Sequence, residues 1–142
     1  MTRQRLAFVL LALAVTACGA PVATPTPIPT SGPTLGPRPS TSATVEVLEP
    51  AQGATTIGTS VHIVLKLTGA KIVTQTTTAI RPDEGHVHLY VNNQLVSMNY
   101  GLEQDITVTP GTLVLRAEFV AADHAPFNPR VQSAEIVFTD KP

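Results

Sequence analysis

A chain of 142 residues with formal net charge −1 holds one modest domain and lacks the basic surplus that nucleic acid demands. Its single cysteine excludes an intramolecular disulfide, so position alone decides what that thiol does. With no Trp and 4% aromatic residues, any core is built mainly from Val, Ile, Leu and Phe.

Residues 1–17 read as a secretory signal peptide. Arg3 and Arg5 make a positive start, and an apolar run follows from 6 to 15. That run is too short to cross a bilayer core of about 30 Å as a helix. Val15, Thr16 and Ala17 then lead into the sole cysteine, Cys18. This ending resembles the lipobox of bacterial lipoproteins. The resemblance implies cleavage before Cys18, diacylglycerol on its thiol, and palmitate-type acyl chains holding the new N-terminus in the membrane. Two or three chains anchor stably where one is marginal. The expected location is therefore extracytoplasmic, on a bacterial membrane, through lipid. Without Arg3 and Arg5 the chain has seven basic against ten acidic residues, further from a nucleic-acid binder.

The lipidated Cys18 opens a linker, residues 18–44. Pro21, Pro25, Pro27, Pro29, Pro33, Pro37 and Pro39 alternate there with Thr, Ser and Gly. Proline supplies no N–H for a ladder, and the stretch offers little apolar surface to bury. It is expected to be extended and disordered.

From residue 45 to 140 the pattern has period two. Strands are expected over 44–48, 60–68, 71–78, 85–91, 95–100, 106–109, 112–121 and 132–139. Over 60–68, Val61, Ile63, Leu65 and Leu67 face inward and His62 faces out. Over 112–121, Leu113, Leu115, Ala117 and Phe119 share one face. Residues 123–130, with Pro126 and Pro129, are expected to form a loop. Seven or eight short strands with no amphipathic helix predict an all-β fold, a small antiparallel immunoglobulin-like β-sandwich. A small barrel is the alternative.

The stretch Gly85-His86-Val87-His88-Leu89-Tyr90-Val91 has two distinct faces. Val87, Leu89 and Val91 belong to a core, while His86, His88 and Tyr90 point the other way. The blandest reading of this His-x-His pair is two rings on a solvent-facing side of a strand. Asn92-Asn93 signals a hairpin turn. A two-residue loop pairs Val87 with Met98 and sends Met98 into the core, the favoured reading. A three-residue loop puts Met98 on the histidine face, because one step of register flips the side.

Three pieces together resemble a group of bacterial exported domains of uncharacterised activity. They are Glu49-Pro50-Ala51-Gln52-Gly53-Ala54, the Gly85–Leu89 strand, and Pro110-Gly111 through Ala122-Asp123-His124 with Pro126 and Pro129. That resemblance covers about residues 45–140. It marks His86, His88 and His124 and carries no established activity with it. A looser likeness of shape is to periplasmic copper-resistance sandwiches.

Two functions follow as expectations. The first is a binding or interaction module that presents its loops to an unknown protein or small-molecule partner. The second is a copper or zinc site. In a sandwich of this topology the loop before the histidine strand and the loop holding Asp123 and His124 emerge at one end. Pairing 112–121 beside 86–91 would gather His86, His88 and His124, with Asp83, Glu84 or Asp123 nearby and Met98 as a further donor. Imidazole suits both metals. A cupin motif is excluded because Asn92 and Asn93 stand where its glutamate belongs. No serine has the setting of an activated nucleophile, so an enzyme is not expected.

Overall fold

The computed structural model describes residues 37–142. The signal segment, Cys18 and most of the linker lie outside them.

Two mainly antiparallel sheets form because the period-two segments each have one apolar face to hide. The smaller sheet has the order β1-β3-β7, from β1 (Thr44–Glu49), β3 (Ser60–Thr68) and β7 (Glu103–Thr107). Facing it is a larger sheet in the order β2-β10-β8-β5-β4, with β6 also on β5 and β9 also on β8. Its strands are β2 (Thr55–Ile57), β4 (Lys71–Ile72), β5 (Glu84–Val91), β6 (Gln94–Ser97), β8 (Gly111–Ala121), β9 (Pro126–Gln132) and β10 (Ile136–Lys141). The fold is the all-β sandwich expected from the sequence. The strand number is higher because β2 is a short parallel addition at a sheet edge and β9 forms where the sequence predicts a loop.

Val61, Ile63, Leu65 and Ile106 from one sheet meet Val87, Leu89, Leu115, Ala117, Phe119 and Phe138 from the other, all nearly or completely buried. The strand β8 is the axis of the larger sheet. Along one edge it pairs with β5 from Gly85↔Ala121 to Val91↔Leu115. Its other edge is shared by β10 at the start and β9 at the end.

Three expectations are corrected. First, the presumed loop 123–130 contains most of β9. Pro126 opens that strand and Pro129 lies on its edge, where a missing N–H breaks no ladder. Phe127 from this segment is buried and stacks on Phe119 at 5.4 Å. Second, regular pairing in 71–78 stops after Ile72. The chain then crosses the pole as an irregular strap, with Val73 N–H bonded to Gly85 O and Thr77 N–H to Ala122 O. Third, Met98 is out of the core and 51% exposed. The turn is the two-residue form, with Asn92 and Asn93 at φ of 51° and 65° and Val91 opposite Gln94. A bulge between Leu89 and Tyr90 then shifts the register, so the return strand ends before Met98.

The linker also ends earlier than residue 44. Pro39 O accepts from Asn128 N–H, and Ala43 is buried in the core cluster. Residues from 38 onward pack as part of the sandwich, because Arg38 and Ala43 find partners there that composition does not reveal.

Gly85 fixes how closely β5 and β8 approach. A Cβ there would run into the Val120 carbonyl oxygen and come within 2.9 Å of the Phe119 ring. Both are buried and neither can yield cheaply. Gly85→Ala should therefore destabilise the domain by about 3 kcal/mol, the upper range for overpacking. Urea unfolding with unchanged m-value checks this.

Candidate functional site

The register of β5 and β8 places His86 across from Val120, His88 across from Glu118 and Tyr90 across from Arg116. These residues form the outer face of the larger sheet, away from the sandwich core. It is not a solvent face. His86 is 0% exposed and His88 5%. They are covered by the strap after β4, by Tyr100 and by the turn after β8.

That turn carries His124. Its N–H bonds to Ala121 O at 2.9 Å, and Ala121 N–H returns to Ala125 O at 3.0 Å. Closure this tight puts His124 at φ of 63°, the left-handed region that a histidine visits more readily than most residues. Asp123 sustains the turn by accepting Ala125 N–H on Oδ1. Arg38 grips the same carboxylate with both Nη atoms, at 2.6 and 2.8 Å, and also donates to the carbonyls of Ala125 and Pro126. This fork holds the Asp123 carboxyl below its ordinary range, against the opposing effect of burial. Arg38 escaped the sequence reading. The available signal was that it is the sole charged residue between Arg5 and Glu46.

Three imidazoles therefore meet. The His86 ring stacks on His124 with centroids 4.3 Å apart, and His88 lies 5.5 Å from His124 in a near-parallel arrangement. His88 Nε2 and His124 Nδ1 are 3.3 Å apart, and His124 Nε2 is 3.1 Å from Thr76 Oγ1 on the strap. His86 Nε2 bonds to Ala122 O, while its Nδ1 is buried with no hydrogen-bond partner. The edge of His86 meets Tyr100, with ring centroids 4.9 Å apart. Burial lowers the pKa of His88, helped by His124 and opposed by the charge of Glu118. Burial lowers that of His124 as well, helped by His86 and opposed by Asp123. Both rings are thus biased toward the neutral form.

The acids expected beside the histidines have other partners. Asp123 is held by Arg38, and Glu84 lies 3.1 Å from Lys71 and 3.3 Å from Arg81. Asp83 sits 3.6 Å from Arg81. His62 is on the opposite sheet, half exposed, and pairs with Asp105. Among the described residues, no three His, Cys, Asp or Glu side chains already converge on one metal position. A small open cleft lined by Val91, Val96, Val108 and Leu113 lies at the far end of β5, away from the histidines.

Glu118 is completely buried beside His88 and is held by Arg130 through a two-point contact, Nε–Oε1 at 2.6 Å and Nη2–Oε2 at 2.8 Å. Burial raises its pKa, but the hydrogen bonds and charge of Arg130, helped by Gln132 and Arg116, together offset this and leave it lowered. Arg130 is itself about half exposed and can return to water if freed. The two deletions should therefore be unequal. Arg130→Ala strands a buried carboxylate and should cost about 3 kcal/mol. Glu118→Gln keeps the shape and should cost roughly 1–2 kcal/mol. A lowered folded pKa adds stability above the ordinary Glu value of about 4.3, lost as pH falls through the folded value. The melting-temperature gap between wild type and Glu118→Gln should therefore narrow on acidification below about pH 4.

No protein-family model and no curated protein matches this chain. Among solved structures, the fibronectin(III)-like modules of CbhA from Clostridium thermocellum match over 68% of the chain, with 20% identity and a TM-score of 0.50. The match spans 45% of that CbhA chain. At this identity the likeness establishes the fold alone: a fibronectin type III-like β-sandwich.

Proposed function

We propose that this chain is an extracytoplasmic lipoprotein, anchored through Cys18, whose fibronectin type III-like sandwich is a binding module with its ligand end at the histidine pole. The supporting observation is the buried imidazole group on the outer face of β5. The hydrophobic core lies on the other face of the sheet and does not need these rings. Burying polar groups costs stability, and one of them, His86 Nδ1, is left unpaired. Such an arrangement is better explained by a ligand than by packing. The scaffold suits this role: β5 and β8 pair without a break over seven residues, and the strap and the His124 turn lie over them from loops.

The anchor is tested by fractionation. Wild type expressed in a bacterial host should sediment with membranes and release its sandwich when intact cells or spheroplasts are treated with protease. Cys18→Ser should lose diacylglycerol labelling. Unlabelled wild type would end the lipoprotein reading.

Ligand binding is tested by thermal shift with salts of single divalent metals, oxyanions, oligosaccharides and short peptides. A ligand at about 100 times its Kd adds about 2.7 kcal/mol, a shift of many degrees for a domain of this size. At least one class should raise the wild-type melting temperature and leave His124→Asn unmoved. Asparagine accepts the left-handed turn while removing the imidazole. No shift from any class would sink the module reading.

A further inference from the structure

We propose that the histidine pole is an acid-opened latch: the strap after Ile72 lies closed over His86, His88 and His124 while their rings are neutral, and lifts when they take up protons. This names the regulation of the ligand end and rests on the binding-module reading only for what opening would admit.

Geometry limits the charge the closed pole can hold. The rings are stacked, with centroids 4.3 Å apart for His86 and His124 and 5.5 Å apart for His88 and His124. Among the described residues no three donors converge on one point there. His88 Nε2 and His124 Nδ1 lie 3.3 Å apart. Between neutral rings one of these nitrogens donates and the other accepts. In two imidazolium rings both carry hydrogens, and these would face each other. His86 is closed to a proton in a different way. Ala122 O can only accept, so Nε2 carries the hydrogen of the neutral ring. The next proton has to go to Nδ1, fully buried and without a partner. A buried cation with an unmet donor is costly.

The neighbours supply no free counter-ion. On β5, Glu84 is held by Lys71 and Arg81, and Tyr90 lies under Arg116 of β8. Glu118 of β8 is held by Arg130 of β9, and Asp123 of the turn by Arg38. Asp83, past the end of the strap, lies 3.6 Å from Arg81, and Tyr100 adds a ring edge to His86. Burial outweighs these acids and keeps His88 and His124 below the ordinary histidine value of about 6.5. The open pole therefore binds more protons than the closed one. Closure is fully stable above about pH 6.5 and weakens as pH falls below it.

The strap is the part able to yield. β5 and β8 pair over seven residues, and Arg38 clamps the His124 turn. Ile72 and Ile80 pin the strap's two ends to the core. Between them it is held by Val73 N–H to Gly85 O, by Thr77 N–H to Ala122 O and by Thr76 Oγ1 at His124 Nε2. Thr74, Gln75, Thr76 and Thr78 are exposed. A segment with so little buried opens locally before the sheets do.

The test reads amide hydrogen exchange on the full chain in detergent micelles, with EDTA present and no ligand added. Opening constants, corrected for the intrinsic pH dependence of exchange, are compared for 73–79 and for β3. The two conditions are about pH 7.5 and about pH 5, either side of the histidine range. Relative to β3, the strap's constant should rise at least about tenfold in acid, the equivalent of one pKa unit. In the paired variant His88→Gln with His124→Asn that rise should be largely lost, whatever the level at neutral pH. His62→Asn, on the opposite sheet, should leave it unchanged. A strap that opens equally at both pH values, or a rise that survives in the paired variant, overturns the latch. If the paired variant does not fold, ring-proton magnetic resonance of the wild type decides. Two rings should titrate below about 6.5 in step with strap opening, and rings titrating at or above that value overturn the proposal. Acid opening with no ligand found would leave the latch and end the module. A ligand bound by a chain whose strap never opens would do the reverse.

Discussion

The pairing of β5 with β8 is the constraint from which the rest follows. Seven consecutive residue pairs fix one register, and Gly85 lets the backbones close without a side chain between them. Since side chains alternate, this register decides two things at once. Val87, Leu89 and Val91 enter the core together with Phe119, Ala117 and Leu115. His86 and His88 are committed to the outer face, level with Val120 and Glu118. A slip by one residue would exchange the two sets and destroy both.

Charge on that outer face is distributed by a simple rule. Each carboxylate near it has a cation: Arg38 for Asp123, Arg130 for Glu118, Lys71 and Arg81 for Glu84. The imidazoles are left with one another, a backbone carbonyl and Thr76. Burial is therefore the largest influence on His88 and His124, and it disfavours their charged forms. A guanidinium is a better partner for a carboxylate than an imidazole is, because it is always charged and forks to both oxygens. Arg38 and Arg130 thus keep the acids away from the histidines.

Much of this was legible in the sequence, for identifiable reasons. Strands with a clean alternation, β3 and β8 above all, could be read from their apolar residues because one face of each is solvated or polar. The meeting of His86, His88 and His124 was expected on condition that 112–121 pairs beside 86–91, which is how β8 and β5 lie. Burial of the histidines could not. The cover over them comes from the strap, whose run of threonines carries no period that distinguishes a lid from a strand, and from Tyr100, isolated in a loop. Met98 was misplaced because a bulge has no reliable signature in residue type. The loop expected over 123–130 turns out to hold most of β9 because Pro126 and Pro129 argue against a central strand but are compatible with an edge.

The position of Arg38 has a mechanical consequence. It lies six residues before β1, yet it is fastened to the loop after β8 by four hydrogen bonds. Tension arriving through Pro37 is therefore borne first by the Asp123 corner and only afterwards by the first strand. Drag on the leading segment would load the residue adjoining His124 before it reached the strands.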